Sequence, residues 1–497
     1  MSMKFLVRAI TLLAIFAMAL RVSVDTDTWW HLRTGELILQ ERSIPKTDTF
    51  SFTRFGENWQ YPSAAWISEV SLFAIYDRFG PAGLNVLAAV LVALAFAFLH
   101  MTLSGGKFLR AFFLIFGAAA SGIFWAARPY LATFVLSAVF LWILEDYRWG
   151  RKNRLVLLPF LMILWANSHP GFAVGFILLG IYLLDGAIEI VTENRNTRKG
   201  KRTQPSLRFF WRGKIRAFTL VGVLMLFAVS INPSGPVLLK YPLETVSIGV
   251  LQDFIQEWQS PDFHESGMQP FLWLLLASVV SLGFSQKKIV ASDLLLILVF
   301  GYLGLLAGRN IPLFALAAPL VLTRHAAPLL DELGDRLGIQ SGREQDAPNW
   351  QRIANVTILI LVIIPVALRA ALILPEDQNR AAYEQYLPTA AIEIIRGQEP
   401  PGRLFNSYNW GGYIIWELRD YPVFTDGRTD LYNDEILQEW VEIVGANYGW
   451  EGKLDFWDVN LVLLEPRWPL SRVLLADERW TLVYEDEVSV LFQRQTE

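Results

Sequence analysis

The chain has 497 residues, of which 53% are hydrophobic, with 19 Trp, 33 Phe and no Cys, and its mean hydropathy is +0.35. A net charge of −4 leaves no broad basic field, which excludes nucleic acid as a partner. The lack of cysteine removes disulfides, thiolate nucleophiles and thiolate metal ligands.

The apolar residues are gathered into runs that are nearly free of charge, the layout of a chain that crosses a membrane repeatedly. In chain order these runs predict spans at about 4–22, 82–102, 108–127, 130–146, 154–167, 171–191, 214–231, 270–284, 289–306, 311–324 and 352–374. The run 154–167 is short and holds Pro159, so a re-entrant segment also fits it. Basic residues alternate with the spans. Arg148, Arg151, Lys152 and Arg154 fall on one side, followed by a dense group between 192 and 216 and by Lys287 and Lys288. The short loops of the other side carry only isolated Arg128, Lys240 and Arg309. By the positive-inside rule the N-terminus is cytoplasmic and the C-terminus extracytoplasmic. The predicted fold class is a polytopic α-helical membrane protein of about 11 transmembrane helices, resident in a bacterial inner membrane.

Two extracytoplasmic segments are too long to be connectors: a first outer loop over 23–81 and a tail over 376–497. In the tail, 403–407, 422–425, 460–464, 480–484 and 487–492 read as strands and 410–419 and 433–445 as helices, which predicts a small α/β domain. The chain thus divides into a transmembrane part, 1–375, and an extracytoplasmic α/β domain, 376–497. Residues 326–351 read as a polar cytoplasmic linker and 192–206 as a flexible basic loop.

The polar residues that could carry chemistry share one address, the outer ends of the spans: Asp25, Asp27, His31, Arg128, Asn167, His169, Asn232, Glu257 and Arg309. Ionisable groups at membrane depth are costly and are retained where they line a cavity or pair. The cytoplasmic span ends show basic clusters and no comparable set of isolated His, Asn and Asp. Two carboxylates two residues apart, Asp25 and Asp27, suit a divalent cation such as Mg or Mn, or a general base with an orienting partner. Equally, such a pair is ordinary in a solvated loop. Arg128 and Arg309 offer the planar donor fork that suits a phosphate, or simply bind lipid headgroups. His169 could stabilise a departing phosphate or merely cap a tight turn. Trp29, Trp30 and Trp258 suit both sugar faces and the interfacial aromatic belt.

Several stretches together resemble the GT-C superfamily of polyprenyl-phosphate-dependent glycosyltransferases. The acidic start of the first outer loop is followed by Trp29-Trp30-His31-Leu32, then Pro45-Lys46-Thr47-Asp48-Thr49-Phe50-Ser51 and Trp66-Ile67-Ser68-Glu69. Ala127-Arg128-Pro129, Leu164–His169, Asn232-Pro233-Ser234-Gly235 and Arg309-Asn310-Ile311-Pro312 continue the pattern. In the tail, Tyr408-Asn409-Trp410-Gly411-Gly412-Tyr413 and Asp426-Gly427-Arg428 complete it. The tail is also similar to the oligosaccharyltransferase catalytic subunit, whose Trp-Trp-Asp-Tyr-Gly motif recognises acceptor; here the central Asp is missing, which puts Asn-glycosylation in doubt.

The resemblance implies transfer of a sugar, hexosyl or pentosyl, from a lipid-linked donor to an extracytoplasmic glycan, lipid or protein. Asp25, Asp27 and His31 are the expected catalytic residues, with Asp25 and Asp27 as metal ligands if a metal is used. Arg128, His169 and Arg309 are expected at the donor phosphate. Trp29, Trp30, Glu69, Glu257, Trp258, Trp410, Asp426 and Arg428 are expected on the acceptor or sugar side, although Asp426-Gly427-Arg428 also reads as a turn closed by an ion pair. A lipid or glycan flippase, or a non-catalytic scaffold of the same fold, is the alternative.

Overall fold

The computed structural model describes residues 1–198, 205–246, 248–249, 255–336 and 348–495. Each expected span coincides with a helix: Met3–Ala19, Tyr61–Thr102, Lys107–Ser121, Tyr130–Arg148, Leu157–Ala166, Ala173–Arg198, Pro205–Val229, Gln269–Gly283, Ala291–Leu306, Ile311–Arg336 and Asn349–Ile373. Among the described residues, six helices are long and apolar enough to cross a membrane by length and composition alone. The chain is a polytopic α-helical membrane protein. At about 1.5 Å per residue, the 10-residue Leu157–Ala166 reaches only half of a hydrocarbon core ~30 Å thick. Bulky apolar side chains such as Phe108, Phe112, Phe160, Phe227 and Trp273 point outward, where lipid rather than water is their favourable surrounding.

Four expectations change. The first outer loop is largely helical: Thr28–Glu41 is a helix, and Tyr61–Thr102 begins well before the expected span at 82. Gly80, at φ 59° and ψ −158°, breaks that long helix before Pro81, so its first part follows the loop and its second part crosses. Hydropathy misses Thr28–Glu41 because its buried face includes Thr28, His31, Thr34 and Glu36 among the apolar residues. The basic loop at 192–206 and the linker at 326–351 also shrink, since helix continues to Arg198, resumes at Pro205 and runs on to Arg336. Lys199, Lys201, Arg202 and the middle of the linker, 337–347, lie outside the described residues.

The third correction concerns the bundle end opposite Arg128, expected to hold only basic clusters. There Arg148 Nε lies 2.8 Å from Asp185, Arg324 Nη2 lies 2.6 Å from Glu145, and His325 Nε2 lies 2.8 Å from Asp293. These groups are buried and paired with one another, so they lock four helices together rather than facing solvent. Charge counting along the chain cannot distinguish a paired arginine from a free one.

The fourth concerns the tail. Its sheet has the order β1-β2-β4-β3, built from Arg403–Asn406 (β1), Val459–Leu464 (β2), Trp480–Glu485 (β3) and Val490–Arg494 (β4). β1 and β2 are parallel, and β4 is antiparallel to both β2 and β3. The expected strand at 422–425 is instead a pair of isolated bridges, Val423 with Leu404 of β1 and Val423 with Ser51 of the first loop. The first loop is therefore stitched to the edge of the tail sheet.

A buried ion cluster secures that seam. Arg428 is fully enclosed; it holds Asp426 through Nε and Nη2 at 2.6–3.0 Å and reaches Asp48 of the first loop at 2.5 Å. Its guanidinium also lies 4.7 Å over the Trp59 ring. Asp48 in turn accepts the backbone N–H groups of Phe50 and Ser51, both at 3.0 Å. Replacing Arg428 leaves two carboxylates buried without a counter-charge, so Arg428→Met is expected to cost about 3–5 kcal/mol. Denaturant midpoints of the purified protein measure this; a midpoint within error of wild type would show the cluster to be dispensable.

Candidate active site

Chain segments far apart in sequence supply the charges of one cavity of about 980 Å3. The turn after Met3–Ala19 brings Asp25 and Asp27, the turn before Tyr130–Arg148 brings Arg128, and the loop before Gln269–Gly283 brings Glu257. Local bonds hold these turns together: Thr28 Oγ1 donates to the Ala127 carbonyl and Ala127 N–H donates to Ser23 Oγ. The motif Ala127-Arg128-Pro129 is thus a docking edge for the Asp-Thr-Asp turn.

Arg128 is the hub. Its Nη1 lies 3.5 Å from Asp25 Oδ2 and 3.2 Å from Asp27 Oδ2, and its Nη2 lies 2.6 Å from Glu257 Oε2. Glu257 Oε1 lies 3.4 Å from Arg309 Nη1, and Arg309 stacks 4.2 Å over Trp258. Three carboxylates thus share two guanidinium groups, one negative charge too many for a partly desolvated site. The surplus settles on Asp27. Burial, and then the neighbouring Asp25, push its carboxyl up to about 7 despite Arg128. Burial also opposes ionisation of Glu257, but Arg128 and Arg309 outweigh it and draw that carboxyl down to about 2.

The two aspartates are not equivalent. Asp25 Oδ1 accepts the backbone N–H groups of Asp27 and Thr28 at 3.0 and 3.2 Å, an Asx-type turn that starts the helix Thr28–Glu41. Asp27 Oδ1 accepts only the Trp30 indole N–H, at 3.2 Å. Asp25 is thereby tied to backbone, whereas Asp27 is held by side chains alone.

Both histidines are neutral. Burial, followed by Arg128 and His169, holds the His31 imidazole well below its usual range. Its Nδ1 lies 3.2 Å from Glu69 Oε1, and both residues are almost wholly enclosed. Burial, Arg309 and Arg128 lower His169 to about 3. His169 Nδ1 accepts the Gly171 N–H at 2.9 Å, with the Thr133 hydroxyl 2.8 Å away, which leaves the ring proton on Nε2.

For a metal ion the set is a poor fit as arranged. The oxygens of Asp25 and Asp27 that a cation would use face Arg128, and the described residues hold no group of three or more His, Asp or Glu placed to bind a metal.

Of the residues expected at the site, the cavity gathers Asp25, Asp27, Trp30, His31, Arg128, His169, Glu257, Trp258 and Arg309. It does not gather the rest. Trp29 packs edge-on against Tyr76, Tyr383 and Tyr413, and Trp410 is buried with its N–H on the Tyr386 carbonyl. Asp426 and Arg428 are closed into the seam cluster, and Glu69 bonds behind His31. Asn167 and Asn232 are joinery: Asn167 Oδ1 accepts from Trp66 and Asn232, whose other bonds go to the Ser63 and Ala166 carbonyls. Sequence reading missed Tyr61, Tyr130, Tyr241, Tyr408, Asn409 and Asp430. Tyr408 and Asn409 stand beside Trp410 in the tail motif, and Asp430 follows Asp426-Gly427-Arg428 by two residues, so a signal was present for three of them.

Two tail glycines let this wall approach. A Cβ on Gly427 would lie 1.8 Å from Asp27 Oδ1, and one on Gly412 would lie 2.4 Å from the Thr26 carbonyl oxygen. Gly427→Ala is therefore expected to displace the Asp27 carboxylate and to lower turnover about 10²-fold. Gly397→Ala, which meets nothing within 4 Å, serves as the silent control in the same assay.

No protein-family model matches the chain, and no curated protein matches it. Solved structures do. An archaeal oligosaccharyltransferase from Archaeoglobus fulgidus, in complex with an inhibitory peptide and a dolichol-phosphate, aligns at 10% identity and a TM-score of 0.51, over 92% of this chain and 69% of that one. The Archaeoglobus fulgidus enzyme tethered to an acceptor peptide aligns at 11% identity and 0.54, over 93% and 69%. A mycobacterial arabinofuranosyltransferase, AftD, aligns at 12% identity and 0.51, over 100% of this chain and 40% of that one. At such identities the likeness is one of fold. This chain has the GT-C fold, the architecture that its sequence motifs resemble.

Proposed function

We propose that the chain is a membrane glycosyltransferase that moves a sugar from a polyprenyl-phosphate donor to an acceptor hydroxyl at the outer face of a bacterial inner membrane. The observation that carries this reading is the cavity itself. It joins a carboxyl near 7, two guanidinium groups and a neutral imidazole to a wall of Val174, Ile177, Leu303, Leu306 and Leu313. Apolar side chains beside paired arginines match a lipid tail that ends in a phosphate. Arg128 Nε is a buried donor with no hydrogen-bond partner among the described residues, as expected of a group awaiting an anion.

In the proposed step, ionised Asp27 takes the proton of the acceptor hydroxyl. The acceptor oxygen forms its bond to the anomeric carbon as the carbon–oxygen bond to phosphate breaks. The bonding electron pair leaves with the phosphate, whose charge Arg309, Arg128 and the Nε2–H of His169 receive. Asp25 acts through geometry, holding the turn that presents Asp27. A transport reading draws no support from the second charged cluster, whose acids and bases neutralise each other at the far end of the bundle.

Transfer from a radiolabelled undecaprenyl-phosphate sugar tests this. Asp27→Asn is expected to lower the rate by 10²-fold or more, and Arg309→Ala to raise the donor KM more than it lowers kcat. If Asp25→Asn and Asp27→Asn both keep near-native activity in folded protein, the carboxylate mechanism is wrong. Because the base must be ionised, the wild-type rate should climb as pH rises through about 7, and Asp27→Asn should remove that limb from whatever activity remains.

A further inference from the structure

The same cavity carries a second group of lining residues with different chemistry. The first loop contributes Trp30 and Tyr61, the turn after Asn232 contributes Tyr241, and the tail contributes Tyr408, Asn409 and Asp430. Trp30 and Tyr61 meet at 5.3 Å between ring centroids, and Tyr61 and Tyr241 at 6.2 Å, so the aromatic rings form a continuous step. Asp430 stands in the first turn of Thr429–Val444, which Asn433 (φ 53°) kinks away from the rest of that helix. The Tyr241 side chain is the neighbour of Asp430 in the cavity lining. The nearby cation, Arg428, is already committed to Asp426 and Asp48. Burial pushes the Asp430 carboxyl up to about 6, with Tyr241 and Arg428 offsetting only part of it.

We infer that this wall is the acceptor subsite, and that the acceptor it takes is a neutral, hydroxyl-rich carbohydrate bound by Asp430 and Tyr241 over the faces of Tyr61 and Trp30. A carboxylate accepts from two neighbouring hydroxyl groups, a phenol both donates and accepts, and an aromatic ring covers the apolar face of a sugar. An anionic acceptor would meet Asp430, and none of the six described residues of this wall is a cation. Asp27 touches both groups, Arg128 through Oδ2 and the Trp30 indole through Oδ1, each at 3.2 Å, so a hydroxyl held here is presented to the proposed base. The assignment rests on the glycosyltransferase reading, which supplies the donor half of the reaction.

The full-length protein in lipid nanodiscs provides the test. Binding of undecaprenyl phosphate is measured first, then calorimetric titration with neutral trisaccharides of glucose, galactose, mannose and arabinose, with a glucosamine trisaccharide, and with an Asn-Val-Thr peptide. At least one neutral trisaccharide should bind at millimolar concentration, and Asp430→Asn and Tyr241→Phe should each weaken it about tenfold while leaving undecaprenyl phosphate binding intact. The intact lipid binding separates a lost subsite from a misfolded variant. Binding of the peptide or of the cationic trisaccharide alone would overturn the assignment, as would neutral-sugar binding that both variants leave unchanged. Failure of the wild-type protein to bind undecaprenyl phosphate would overturn the donor reading instead.

Discussion

One guanidinium group has to satisfy carboxylates from two distant loops, and the site is organised around that demand. Arg128 bonds Asp25 and Asp27 from the first outer loop and Glu257 from a loop more than a hundred residues later in the chain. A water-exposed pair of this kind would contribute little. Here the groups are half-buried at the end of an apolar bundle, so each charge is expensive unless paired, and the arrangement holds because separating any partner would strand another. Arg309 shares the load through Glu257 but does not balance it. Burial and the remaining excess of negative charge give Asp27 a carboxyl near neutrality. A base suited to neutral pH thus arises first from burial and then from the neighbouring carboxylate, which Arg128 only partly offsets.

The second constraint is the seam between first loop and tail. Arg428 closes it by burying its charge against Asp48 and Asp426, and Val423 closes it by bridging both Ser51 and β1. Glycines at 412 and 427 then allow backbone to approach Thr26 and Asp27 at distances that no side chain would tolerate. Residues that look like chemistry in the sequence, Asp426 and Arg428, are structural here, and their work is to place Asp430, Tyr408 and Asn409 on the cavity wall. The tail supplies one side of the site and does so through packing.

Two charged clusters at opposite ends of the same helices carry different physical signatures. At the far end, Arg148, Arg324 and His325 each meet an acid within a closed interior. At the cavity end, the carboxylates outnumber the guanidinium groups, Arg128 Nε lacks a partner among the described residues, and the groups border open volume. Saturated pairing holds helices together, whereas incomplete pairing beside a cavity leaves capacity for a ligand.

Hydropathy alone located an apolar helix at each expected run, because transfer of an apolar side chain into lipid depends on composition and scarcely on context. The same reading placed Asp25, Asp27, Arg128, His169, Glu257 and Arg309 at span ends on one side, which suffices to predict that they share a level. The helix Thr28–Glu41 escaped because its buried face is built from polar as well as apolar residues, and the far-end cluster escaped because pairing across helices leaves no mark on a linear charge count. The sequence by itself determined where the apolar helices lie and that the polar groups Asp25, Asp27, Arg128, His169, Glu257 and Arg309 gather at one end of them. Only the tertiary structure decided which of them meet, that Asp25 is bound to backbone while the Asp27 carboxyl is pushed up to about 7, and that Asp430 rather than Asp426 reaches the cavity. The reason is physical: burial is a property of one residue and a solvent, but pairing and proton affinity belong to groups brought within a few ångströms by the fold.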